Sequence, residues 1–220
     1  MASSFQGSIS AGIVINHDPP IRIGCLKKDR RQSSFQMREF FRKLVHIIFG
    51  LGIAALVQFT PKSIALPLLM TGTFAGFILT DALVRGYRIP LISDLIDTLE
   101  RENVRPGKGA LYFALSSLFC LVIFEKEVVV PAIVALALLD GVATIVGIYY
   151  GKHPIVKSKT AEGTAAGILL TFVALLPLLP PLEAAASSVV AGLVELFSPV
   201  DDNLTIPVFV CVTLTLMAGL

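Results

Sequence analysis

The stretch EVVVPAIVALALLDGVATIVGIYYGKHPIVKSKTAEG, from Glu127 to Gly163, decides how the whole chain is read. An apolar run long enough to cross hydrocarbon carries one acid, Asp140, deep within it, then opens into a loop that holds Lys152, Lys157 and Lys159. Moving a charged side chain to the centre of a bilayer costs about 2.5–3.5 kcal/mol even on the mild insertion scale, so such groups are kept where they line a hydrated or ligand-filled cavity. Three lysines at that boundary suit an anion.

Outward from this stretch the pattern repeats. The 220 residues are 55% hydrophobic and 15% charged with no tryptophan, and the mean hydropathy is +0.80, which excludes an ordinary soluble domain. The expected fold is all-α, a polytopic transmembrane helix bundle of about seven spans. Apolar runs near 41–59, 63–84, 108–124, 127–150, 162–179, 182–198 and 204–220 approach the 17–25 residues that a spanning helix needs. The segment 182–198 carries Glu183 and Glu195 and is left open between a span and an interfacial helix. With the N-terminus placed in the cytoplasm, all but Lys62 and Lys126 of the 18 Lys and Arg residues fall on the cytoplasmic side, as the positive-inside rule requires. Residues 1–38 form a polar arm, read as flexible and cytoplasmic, and 39–220 the membrane domain. The arm lacks the apolar core of a secretory signal. Cys25, Cys120 and Cys211 have no metal-ligand or CxxC spacing, so neither a disulfide nor a thiolate metal site is expected.

Two loops on the cytoplasmic side are long enough to do chemistry. In the first, Gly86 to Gly107, residues 92–101 have apolar side chains at helical spacing and read as a surface amphipathic helix. The second is Gly151 to Thr160. Along the fourth span Asp140, Thr144, Gly147 and Gly151 recur every three or four residues and share one helical stripe. At 1.5 Å per residue Asp140 stands roughly 16 Å from the loop, too deep to snorkel. The stripe is either a packing face of small residues with one paired acid, or the floor of a cavity with an acid that handles a metal or a proton.

The loop has no Walker motif. Its Lys152, Lys157, Ser158, Lys159 and Thr160 nevertheless lead into a helix start at Glu162 and Gly163, where free backbone N–H groups and the helix dipole favour an anion. The alternative is that the lysines are positive-inside anchors and Glu162 a simple helix-start carboxylate. At the mouth of the first span Arg42, Lys43 and His46 fall within one turn. Arg42 and Lys43 read as interfacial anchors by default, or as a phosphate or headgroup contact; His46 faces protein or water, with Asp81 as its candidate partner. Asp201-Asp202-Asn203 offers hard oxygen ligands of the kind Mg²⁺ accepts. The same three residues are a common turn and helix start, and on sequence alone that reading is the stronger.

Taken in order, Arg42-Lys43-x-x-His46, Gly107-Lys108-Gly109-x-x-Tyr112-Phe113, Asp140-Gly141-x-Ala143 with Gly147 and Gly151-Lys152, Lys157-Ser158-Lys159-Thr160-x-Glu162-Gly163-Thr164 and Asp201-Asp202-Asn203-Leu204 resemble the dolichol kinase and phytol kinase family of CTP-dependent lipid-alcohol kinases. The likeness covers about 40–220, and its specific part is the Asp-Gly and Lys-Ser-Lys-Thr-x-Glu-Gly blocks. It implies transfer of the γ-phosphate of CTP, with a divalent metal such as Mg²⁺, to the hydroxyl of a polyprenol or dolichol, phytol, geranylgeraniol or diacylglycerol at the cytoplasmic face. It also implies that the Lys157–Gly163 block binds nucleotide and that Asp140, Asp201 and Asp202 are the family's acids. On this reading Asp140, then His46, is the candidate base, and Asp140, Asp201 and Asp202 hold the metal. Lys152, Lys157 and Lys159 neutralise the leaving CDP, with Arg42, Lys43, Lys108 and Asn203 as further contacts. The partners expected are CTP, a lipid alcohol and the membrane itself, and no nucleic acid. A cytidylyltransferase that makes a CDP-activated lipid is the nearest alternative. A small ion or solute transporter is the second, disfavoured because the outer half of the chain is nearly bare of polar groups.

Overall fold

The structure, a computed structural model, describes residues 23–90, 93, 107–156 and 159–219, with side chains from Phe35 onward. Among these residues there are seven α-helices and no strand: α1 Ile23–Phe59, α2 Lys62–Val84, α3 Lys108–Ile123, α4 Lys126–Tyr150, α5 Ala161–Leu175, α6 Pro181–Phe197 and α7 Asp202–Ala218. Each falls on one of the seven apolar runs read from the sequence. The polar arm is helical from Ile23, so α1 continues without a break from the arm into its apolar part. The amphipathic segment expected over 92–101 lies outside the described residues except for Ser93.

Three of the helical stretches are long and apolar enough to cross a membrane: Phe35–Phe59, Lys62–Val84 and Lys126–Tyr150. The apolar helices α3, α5 and α7 have 16, 15 and 17 residues, hence lengths of about 22–26 Å against a hydrocarbon core of about 30 Å. Prolines and glycines punctuate as their chemistry dictates. Pro61 and Pro180 sit at N-caps, while Gly86 and Gly107, at φ 86° and 72°, bracket the connection between α2 and α3 in a backbone region that side chains disfavour.

α4 is the hub. Of its most apolar window 72% is buried, against 33% for α1 and 17% for α2, because α4 is packed by α1, α5, α6 and α7, with α3 touching it more lightly. Val129, Ile133, Leu136 and Leu139 are fully buried there, with Phe113 of α3 and Ile206 and Val210 of α7. α2 lies at the edge against α3 and turns Leu68, Phe74 and Ile78 outward. Large apolar side chains facing outward on a helical bundle are what a hydrocarbon solvent demands.

Small residues let these helices approach. A Cβ added to Gly163 would strike the carbonyl oxygen of Ala143, and one added to Gly167 would lie 3.1 Å from both the Ala143 Cβ and the Leu139 carbonyl oxygen, so α5 rides directly on the backbone of α4. At Gly50 the added atom would lie 2.6 Å from the Phe113 ring and 2.7 Å from Ala137. The Asp140 stripe packs and also borders a hollow: Gly147 and Gly151 receive Thr160 at the α5 entrance, and Asp140 and Thr144 open onto a cavity.

Candidate functional site

Asp140 is the fifteenth of the 25 residues of α4 and only 2% exposed. A lone carboxylate there would be prohibitively desolvated. Its partner comes from α1: Lys43 Nζ donates to Asp140 Oδ2, and both groups are buried. Lys43 is thus an internal counter-ion, where the sequence suggested an interfacial anchor. One turn along α1, His46 Nε2 lies 3.5 Å from the same oxygen and makes no hydrogen bond; its ring stands edge-on to Phe113 at 5.0 Å. Asp81, the partner expected for His46, instead accepts from Arg85 on its own helix at 2.7 Å and is exposed. Arg85, four residues on at the α2 C-cap, is within reach of that acid, and nothing carried it into the bundle. Arg42 bonds Glu39 at 2.7 Å.

The loop between α4 and α5 delivers Lys159 to the same end of the bundle. Its Nζ donates to Glu195 Oε1 of α6 at 2.6 Å and to Asp202 Oδ2 of α7 at 3.1 Å. Burial alone would lower the pKa of Lys159. Glu195, Asp202 and Asp140 outweigh it and hold the ammonium above the ordinary lysine range. Asp201 caps α7, accepting from the Asn203 backbone N–H at 3.3 Å and from Asn203 Nδ2 at 3.0 Å, and its other oxygen lies 3.1 Å from Lys108 Nζ at the start of α3. The helix-start reading of Asp201-Asp202-Asn203 thus describes Asp201, while Asp202 turns toward Lys159.

These side chains surround one cavity of about 490 Å³. Arg42, Lys43, Lys108, Asp140, Lys159, Thr160, Asp201, Asp202 and Asn203 all line it, together with Phe35, Gly109, Ala143, Thr144, Gly147 and Ile148. Four cationic and three acidic side chains in one hollow can take a polyanion and a metal together. The nearest carboxylate oxygens of Asp140, Glu195 and Asp202 all lie within 4.8 Å of one another, and Glu195 Oε2 is buried without a hydrogen-bond partner. Hard oxygen donors with an unsatisfied buried acceptor fit a divalent cation of the Mg²⁺ or Ca²⁺ kind.

Glu162, Lys152 and Gly163 are placed elsewhere. Glu162 folds back on its own loop, where Oε2 accepts from the backbone N–H groups of Lys152 and His153 at 3.1 and 3.2 Å and Oε1 lies 2.5 Å from His153 Nδ1. Lys152 is exposed, and Gly163 serves the α4–α5 crossing. Lys157 and Ser158 lie outside the described residues. Thr160 caps α5, accepting from the Gly163 N–H at 3.2 Å. Thr160→Ala is expected to cost about 1 kcal/mol, read as a small drop in the melting temperature of the detergent-solubilised protein. Thr160→Ser, which keeps the oxygen, should melt close to the wild type.

Two buried acids escaped the sequence reading. Glu195, with a side chain 0% exposed, was weighed as a sign of an interfacial helix over 182–198 and given no role in the site; the argument that singled out Asp140, an acid inside an apolar run, applies to it equally. Glu39, 2% exposed, sat one residue past the polar arm and carried no spacing signal.

No family model matches the chain, and no solved structure does. The uncharacterized protein MJ1137 of Methanocaldococcus jannaschii is 33% identical over 181 residues, a match covering 79% of this chain and 91% of the archaeal protein. The aligned length spans most of the helical bundle, and at that identity and coverage this chain belongs to one family with MJ1137.

Proposed function

We propose that this protein is a multi-pass membrane enzyme, a CTP-dependent kinase that phosphorylates the hydroxyl of a lipid alcohol at the cytoplasmic face. The observation that carries the reading is the shared hollow: Asp140, Lys159 and the Asp201–Asp202 pair, far apart in sequence, line one cavity with Lys43 and Lys108. Those residues are the ones by which the chain resembles the dolichol kinase and phytol kinase family. The acceptor is a polyprenol or dolichol, phytol, geranylgeraniol or diacylglycerol.

Phosphoryl transfer is mostly positioning and neutralisation of charge, and the cavity walls are equipped for both. Arg42, Lys108 and Lys159 face a triphosphate and offset the charge that gathers on the leaving CDP. Lys43 fixes the Asp140 carboxylate in place. The lipid hydroxyl attacks the γ-phosphorus, the bond to the β-phosphate oxygen breaks, and the hydroxyl proton passes to Asp140. His46 stands behind it as the alternative acceptor. A divalent cation, held by Asp140 and Asp202, would supply charge neutralisation at the phosphates.

The test is to incubate the purified full-length protein with γ-labelled CTP and a panel of lipid alcohols. Label on one lipid with release of CDP is the expected result. Release of pyrophosphate, with the CMP moiety on the lipid, would make the protein a cytidylyltransferase, and no nucleotide-dependent labelling of any lipid would overturn both.

A further inference from the structure

Lys159 is held by acids and must be freed for the task just given to it. Its ammonium is tied to Glu195 and Asp202 at 2.6 and 3.1 Å, although its side chain borders the cavity. Glu195 stands behind it, fully buried, with Oε2 accepting no hydrogen bond among the described residues. Buried acceptors left in that condition are rare and point to a missing partner.

The charges give the same answer. Asp201 is matched by Lys108, and Glu39 by Arg42. That leaves three carboxylates, Asp140, Glu195 and Asp202, facing two ammonium groups, Lys43 and Lys159, with His46 adding a charge only if protonated. Replacing the single charge of Lys159 by a dication would balance the three acids together with Lys43. Geometry permits the exchange: oxygens on opposite sides of an octahedral cation at 2.0–2.1 Å stand about 4 Å apart, and the carboxylate oxygens already lie within 4.8 Å of one another.

We propose that Asp140, Glu195 and Asp202 form a divalent-cation site in which the Lys159 ammonium is the resident counter-ion, and that cation binding releases Lys159 into the cavity toward an anion. Glu195 takes the ligand position that the sequence assigned to Asp201, which is committed to Lys108 and the α7 cap. The cation site stands on the geometry alone; the use of the released lysine on a nucleotide rests on the kinase reading above. Cation and anion would then bind cooperatively, each raising the affinity for the other.

The probe is Mn²⁺ alone, titrated into the full-length protein in detergent without nucleotide and followed by the loss of its free-ion electron paramagnetic resonance signal. Glu195→Gln and Asp202→Asn should each weaken Mn²⁺ binding by about tenfold or more, while Asp201→Asn leaves it essentially unchanged. Lys159→Met should tighten it by at least about tenfold, as expected when a like charge a few ångström away is removed from a partly desolvated site. A wild-type measurement guards against variants that fail to fold: Mg²⁺ should raise acetylation of Lys159 by acetic anhydride several-fold, read by peptide mass spectrometry. Unchanged affinity in Glu195→Gln, weakened binding in Lys159→Met, or Lys159 labelling indifferent to Mg²⁺ would each overturn the proposal. CTP is absent from these assays. The Mn²⁺ pattern can therefore hold while lipid phosphorylation fails, which would remove the kinase reading alone, and the reverse result would remove the cation site alone.

Discussion

Asp140→Asn is expected to lower lipid phosphorylation by about a hundred- to a thousandfold or more, the range seen when a group acting on developing charge is removed from a water-poor site. The substitution keeps the shape of the side chain and removes its charge and its basicity. It also strands Lys43, 6% exposed and bonded to Asp140; breaking one half of a buried pair costs about 3–5 kcal/mol, so a dead enzyme could be an unfolded one. The double variant Lys43→Met with Asp140→Leu separates the two. With both charges gone its melting temperature should return toward the wild-type value, while phosphorylation stays at the level of Asp140→Asn. Activity retained in Asp140→Asn, measured in protein that elutes as the wild type does, would take this acid out of the mechanism.

Gly163→Val should be strongly disruptive. An added Cβ meets the carbonyl oxygen of Ala143 and comes within 3.1 Å of the Gly147 Cα. Both are backbone atoms, which cannot rotate away, so α5 must lift from α4. Overpacking of this kind costs about 1–3 kcal/mol. The shift also moves Thr160 and Lys159, which border the cavity, so activity should fall together with stability. Gly72→Val is the control, since an added Cβ there meets nothing within 4 Å. The measurement is thermal unfolding in detergent: equal melting temperatures for the two variants would show that the α4–α5 crossing tolerates a wider spacing.

The helices were legible in the sequence because a hydrocarbon solvent writes them as long apolar runs, and every run found there carries a helix here. The Asp140-Thr144-Gly147-Gly151 stripe was legible for a related reason: helical periodicity alone puts its members on one face. Pairing was the hidden part. Lys43 and Asp140 are 97 residues apart, and nothing in either local stretch says which acid a given lysine will meet. A default that treats every lysine near a span end as an anchor hid Lys43, and reading 182–198 as a possible interfacial helix hid Glu195. Asp81 fails in the opposite sense: its place near the inner end of the second span suggested His46 as a partner, yet Arg85 one turn away was sufficient.

The acid at the centre of the site is carried by the helix with the least freedom to shift, walled in by its neighbours along most of its length. Rigid-body tilting of α4 would disturb nearly every contact in the molecule, so accommodation of an incoming guest falls to lighter components. Those are the ammonium groups of Lys108 and Lys159, each at the tip of a flexible four-carbon stem. The scaffold can stay still while its lysines change hands.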